Sequence, residues 1–261
     1  MKNEAIDYFA EQNVKLIINV DWGISSIEEV EYAKSKGIDL IVTDHHRVGE
    51  YLPECIAVVD PYRDDYNAEF KAYAGEGVVY KLLCALEGDS ESVLDAYADI
   101  IALGTVGDVM PLINENRHIV RKGIELINNS DRPGIMSLKE VSGQSGKLIS
   151  AASLAYTLVP RINAAGRMGS PTRALNLLLC DDESYCDDIA SEIDLANVNR
   201  HKTELEILEE IKQKFRENPS LRYDRVLVVD GDGWPHGIIG IVAAKLVEDA
   251  IKHIGKIDKK V

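Results

Sequence analysis

Short apolar runs alternate with longer amphipathic stretches along the first half of the chain. Val14–Val20, Ile38–Val42 and Ile56–Val59 each read as a buried strand bounded by polar or glycine-rich residues. Between the first two, Ser25 or Ser26 is a fitting N-cap for a helix over 27–36. Glu28 and Glu29 suit its first turn, and Gly37 ends it. A strand–helix–strand unit of about 30 residues implies parallel pairing through a right-handed crossover. Residues 4–12 read as the end of a helix, and 62–73 as an irregular polar segment. Helices are predicted over 75–87, opened by Gly75 and Gly77, and over 91–104, 115–128 and 148–158. Pro160–Gly169 reads as a basic, glycine-rich turn, and Pro171 begins a further helix. Over 184–217 an interrupted apolar stripe (Ile189, Ile193, Ala196, Leu205, Leu208, Ile211, Phe215) predicts one long helix, or two joined near 198–202. Arg225–Asp230 reads as a strand and 238–251 as a helix.

The fold class this pattern implies is α/β. A doubly wound parallel-sheet domain is expected over 1–180, a helical connector over 181–220, and a partial second α/β domain over 221–261. No internal repeat or low-complexity tract interrupts it.

Strand ends carry the chemistry. In open α/β sheets ligands bind outside the carboxyl ends of the strands. Asp21 follows the first strand, and Thr43-Asp44-His45-His46 closes the second, so both clusters are expected at one sheet edge. Imidazole and carboxylate together suit a divalent transition metal. Two consecutive histidines on an extended backbone point to opposite sides, so one reads as a ligand and the other as a substrate contact. A solvated polar turn is the competing reading of these four residues. Asp108, after the small residues Gly104–Gly107, sits in apolar sequence, where a carboxylate is costly unless paired or metal-bound; a helix cap is the alternative. Arg161, Asn163 and Arg167 suit a phosphate grip, or an ordinary loop with surface arginines. His236, in a glycine-rich loop before a helix, could meet an anion or lie in a surface turn.

Composition narrows the classes. The chain has 261 residues and a formal net charge of −15, which argues against nucleic-acid binding by the whole surface but not by a local basic groove. Cys55, Cys84, Cys180 and Cys186 are scattered without a CxxC pair and read as reduced cytosolic thiols, not a zinc site. No apolar run approaches the roughly 20 residues of a spanning helix. Met1–Ala5 lacks a secretory pattern, so a cytoplasmic protein is expected.

Five segments taken in order carry a resemblance. They are Val20–Ser26, Thr43–His46, Ala102–Leu112, Pro160–Arg167 and Gly233–Ala243. The set closely resembles the RecJ family of single-stranded-DNA-specific exonucleases, within the DHH phosphoesterase superfamily. Asp-His-His points only to the superfamily; RINAAGR and WPHGIIGIVA select RecJ. The resemblance implies a 5′→3′ exonuclease of DNA repair and recombination that releases nucleoside monophosphates with two Mn²⁺ or Mg²⁺ ions. It makes Asp21, His45 and Asp108 metal ligands, with Asp44 orienting the site and His46 on the scissile phosphate. Arg161, Asn163 and Arg167 would hold the nucleic-acid backbone, and His236 would contact phosphate. Single-stranded DNA is the implied partner, with a helicase and a single-strand-binding protein as candidate protein partners and no membrane.

There are departures. The family's Asp-x-Asp motif, expected before residue 14, is absent, and Asn19 and Asp7 are poor substitutes by position. Trp-Pro-His-Gly stands where the family has Trp-His-x-Gly. The later glycine-rich motif and the OB-type domain are missing, so a fragment truncated at both ends is expected, with 248–261 departing as a frameshifted or artificial end would. Two rival readings are a phosphodiesterase for short oligonucleotides and a non-catalytic scaffold that binds DNA or replication proteins.

Overall fold

In a computed structural model, residues 2–223 and 226–257 are described, without the side chains of 222, 223 and 250–257. The element order is α1 (Asn3–Glu11), β1 (Leu16–Val20), α2 (Ile27–Ser35), β2 (Asp39–Thr43), β3 (Ala57–Val59), α3 (Gly75–Glu87), α4 (Ser90–Gly107), α5 (Asn114–Asn128) and α6 (Pro133–Val141). A short α7 (Ala151–Ser153) and a π-helical turn (Leu154–Leu158) lead into α8 (Val159–Met168). Then come α9 (Pro171–Leu179), α10 (Glu183–Glu217), a 3₁₀ turn (Pro219–Tyr223) and α11 (His236–Ile257).

Packing divides the chain into two compact units. The first joins residues 1–130 with 146–159, and the second joins 131–145 with 160–261.

The first unit holds the sheet, three parallel strands in the order β1-β2-β3. Its α/β class is the one expected. Ile6, Val30, Ala33, Ile38 and Leu40 bury together, so α1 and α2 close over the β1–β2 pair. Gly37 at φ +72° turns the chain from α2 into β2, a conformation open to glycine at little cost. A second core of Tyr80, Val93, Leu94, Ala98, Ile101 and Ile119 knits α3, α4 and α5. The opposite side of edge strand β1 is open, with Leu16, Ile18, Val20 and Trp22 all exposed.

The second unit is helical among its described residues. Ile207, Leu208 and Ile211 of α10 pack on Ile238 and Val242 of α11, joined by Met168 and Trp234. Glu204 is buried between Arg200 (2.9 Å) and Lys245, which neutralise it. Burying a carboxylate is costly unless it is paired or hydrogen-bonded in this way.

Several expectations change here. Residues 226–230 form no strand, and Arg225 lies outside the described residues. An isolated strand leaves its peptide groups unpaired, and among the described residues the sheet contains only β1, β2 and β3. Pro160–Gly169 is not a turn, since α8 runs through it with Ala164 and Ala165 buried. Pro160 lacks an N–H, which predicts a helix end at 158. The structure instead places a π-helical turn just before it, where the Val159 N–H bonds Leu154 O. Gly104–Gly107 is likewise no turn but the last turn of α4. Of the two forms expected over 184–217, the single long helix is the one found, as the 35-residue α10. Helix α6, with Pro133 in its first turn, was not anticipated. In the tail over 248–261, residues 258–261 lie outside the described residues.

Candidate metal centre

The strand ladder sets the site. Val20 pairs with Thr43, and Thr43 with Val59, across three parallel strands. The next residue on each strand is an aspartate: Asp21, Asp44 and Asp60. Three carboxylates therefore follow in register at the C-terminal edge of the sheet. The Asp21 N–H still bonds Thr43 O at 2.9 Å, and the Asp44 N–H bonds Val59 O at 3.0 Å, so the ladder extends one residue past the strands.

Asp44 is the buried centre of this edge, its side chain only 1 % exposed. Its Oδ2 accepts the Ile24 N–H at 2.9 Å. Its Oδ1 accepts the N–H groups of His45 (2.8 Å) and His46 (3.2 Å) and faces His46 Nδ1 at 2.7 Å. Burial alone would raise the Asp44 pKa. The hydrogen bonds from Ile24, from the His46 ring and from the His46 and His45 backbone outweigh it and hold the carboxyl below its usual range. The same contact raises the His46 pKa: its bond to Asp44 favours the imidazolium, against a smaller penalty from burial.

His45 meets the other two carboxylates. Its Nε2 stands 2.9 Å from Asp21 Oδ1 and 3.6 Å from Asp108 Oδ2. The two imidazoles do not point to opposite sides, because residues 44–46 lie past the end of β2 and are no longer extended. Their ring centroids are 4.5 Å apart. Ligand atoms of Asp21, His45 and His46 all lie within 4.8 Å of one another.

Asp108 is not in an apolar setting. It is the C-cap residue of α4, and its side chain is 48 % exposed, facing the cluster. Two left-handed residues frame the group: Asp21 itself at φ +67° and Val109 at φ +57°. Such a backbone is costly for a β-branched residue and persists only where surroundings enforce it. Around Val109 the Met110 N–H bonds Thr105 O, and buried Asn116 donates to Pro111 O and Ala72 O.

Two acidic residues at this site carried no expectation. Asp60 is 4 % exposed, and its Oδ1 accepts the Tyr62 N–H at 2.7 Å while its Oδ2 has no hydrogen-bond partner. Burial pushes its pKa up, and the negative charge of Asp44 adds to that. Glu76, in the first turn of α3, is also raised by burial and then by Asp21 and Asp108. Asp60-Pro61 at the end of the third strand was a legible signal for the first, because its position repeats that of Asp21 and Asp44. Glu76 had none, since its approach comes from a helix far along the chain.

The remaining sequence candidates belong to the second unit. Arg161 turns inward, its Nε bonding Asp194 Oδ1 at 2.7 Å and its Nη2 reaching Val141 O at 3.4 Å. Asn163 and Arg167 are exposed on α8, and Arg167 Nη1 donates to Gly237 O at 3.0 Å. His236 is the first residue of α11.

Residues 1–105 match the DHH family, N-terminal domain. Along 94% of its length the chain is 36% identical to the single-stranded-DNA-specific exonuclease RecJ of Bacillus subtilis (strain 168), covering 30% of that protein. It is 35% identical to RecJ of Escherichia coli (strain K12), covering 45% of it. The crystal structure of RecJ in complex with Mn²⁺ from Thermus thermophilus superposes with a TM-score of 0.81 at 31% identity, over 96% of this chain and 37% of that one. The chain thus spans less than half the length of the curated relatives it matches.

Proposed function

We propose that this chain, whose first 105 residues match the DHH family, N-terminal domain, carries the nuclease centre of a 5′→3′ exonuclease acting on single-stranded DNA. The observation that carries the reading is the convergence of Asp21 and Asp108 on His45 Nε2 at the edge of a parallel sheet. One imidazole between carboxylates is a donor set for Mn²⁺, with carboxylate oxygens for Mg²⁺. Asp21 Oδ1 and Asp108 Oδ2 at 2.9 and 3.6 Å from His45 Nε2, the approach of His46 to within 4.8 Å of Asp21 and His45, and the unpartnered, buried Asp60 Oδ2 fit a divalent cation at this edge. Three similar solved structures are of RecJ bound to Mn²⁺ or Mg²⁺. Bound here, a pair of such ions would supply Lewis-acid activation of water and offset charge on the phosphoryl oxygens.

The protein's own groups divide the remaining work. Asp21, His45 and Asp108 hold metal. Asp44 fixes the His46 ring through Nδ1, which leaves Nε2 for a phosphate oxygen, and favours the protonated ring that can donate to it. In the second unit, Asn163, Arg167 and His236 hold the DNA backbone. Arg161 positions α8 against α10 through Asp194 and takes part in backbone binding through that helix. Four free thiols suit a cytoplasmic setting, where a helicase would supply the single strand and a single-strand-binding protein would cover it. The division into a catalytic region over 1–180, a connector over 181–220 and a substrate-binding region from 221 is part of this proposal.

The test is Mn²⁺-dependent release of mononucleotides from a 5′-phosphorylated single-stranded oligonucleotide, beside a His46→Ala control. Release by the wild-type chain and not by the variant is the expected result. Cleavage of dinucleotides to pentanucleotides in preference to long strands would instead favour an oligonucleotide phosphodiesterase.

A further inference from the structure

Glycines on two helices leave room for acidic side chains at the metal centre. A Cβ at Gly75, which opens α3, would overlap the Asp21 carboxylate. A Cβ at Gly104, one turn before Asp108 on α4, would overlap the carboxylate of Glu76. The α3 terminus therefore touches Asp21 with its first residue and presents the acid of its second toward the α4 turn that carries Asp108. Glu76 is half-buried, its carboxyl lying against Gly104 of α4, and burial followed by the charges of Asp21 and Asp108 raises its pKa. A further carboxylate packed one helical turn from Asp108 adds negative charge that a cation at this edge would offset. A surface acid at a helix N-terminus needs no such explanation, but Glu76 points inward, into space vacated by Gly104.

We infer that Glu76 is a fourth protein ligand of the divalent cation held by Asp21, His45 and Asp108, supplied by α3 and not by a strand end. The inference rests on the metal-centre reading above and adds to it a residue from a different part of the fold. Helix α3 then has a direct part in the site: its position, set by Tyr80 and Val78 in the core, decides how the cation is coordinated.

The experiment is Mn²⁺ titration followed by calorimetry and by water-proton relaxation, on the wild-type chain, Glu76→Gln, Glu76→Asp and His45→Ala, with circular dichroism as the folding control. Glu76→Gln keeps the shape and removes the charge. A Kd raised about tenfold or more is expected, on the scale of lost metal-site groups. Relaxation per bound Mn²⁺ should rise, because water takes the vacated position. Glu76→Asp should recover part of the affinity. Unchanged affinity and relaxation in Glu76→Gln, with binding lost in His45→Ala, would overturn the role of Glu76 and leave the metal centre standing. Absence of Mn²⁺ binding by the folded wild-type chain would overturn both.

Discussion

The two units handle charge in opposite ways. At the sheet edge of the first, acids are brought together. Asp21, Asp44 and Asp60 follow paired residues of three parallel strands, and Glu76 and Asp108 arrive from helices. In the second, charges are paired off. Arg161 is engaged by Asp194, and Glu204 lies between Arg200 and Lys245. Like charges gathered without counterions cost stability, and a protein tolerates them where a ligand supplies the opposite sign. Paired charges stabilise a fold and leave little for a ligand. The contrast marks the first unit's edge as the place of chemistry. In the second unit it separates residues that hold helices together from those, such as Asn163 and Arg167, whose side chains are exposed.

That contrast can be broken by substitution. The largest effect is expected from His45→Ala, which removes the imidazole on which two carboxylates converge. Mn²⁺ affinity should fall by about 100-fold, the upper range for metal-site groups, while calorimetry of unfolding without metal changes little. Equal Mn²⁺ affinity in the variant would show that the acids do not act through His45.

Asp44→Ala comes next. It strands the buried Ile24 N–H and frees the His46 ring. A loss of about 1–3 kcal/mol in urea unfolding is expected from the unsatisfied donor, with loss of cleavage. Stability equal to the wild type would mean that the hydrogen bonds at Asp44 are not structural.

In the second unit, Arg161→Ala should cost about 1 kcal/mol, since the pair it breaks is partly buried. DNA affinity should follow that change in stability and not exceed it. A large loss of DNA binding with stability intact would move Arg161 from the paired class to the substrate-facing one.

The smallest structural effect is expected at Arg167→Ala, within about 0.5 kcal/mol of wild type. DNA binding should weaken and its salt dependence flatten, with Mn²⁺ affinity unchanged. A variant that lost metal affinity instead would erase the division between the units.

Much of this was legible in residue order. The alternation of apolar runs and amphipathic stretches predicts β1, α2 and β2 to within two residues of their ends. Local signals served well wherever the decisive interactions are local: Gly37 after α2, Pro171 opening α9, the apolar stripe of α10. They failed where a distant contact overrode them. Pro160 has no N–H to continue a helix, yet α8 runs through it directly after a π-helical turn. The glycines at 104 and 107 look like a turn, yet α4 keeps them because bulkier residues would meet Glu76 and Val159. Residues 226–230 have the composition of a strand without a recorded pairing partner.

By itself the sequence determined which residue types stand at strand ends, and so that Asp21 and the Asp-His-His cluster share an edge. Strand direction and side-chain period leave no other outcome once the strands pair in parallel. Only the tertiary structure decided which further acids join them. The register Val20–Thr43–Val59 brings in Asp60, and packing of α3 against α4 brings in Glu76. Register and helix packing depend on contacts between residues far apart in the chain, which no local pattern encodes.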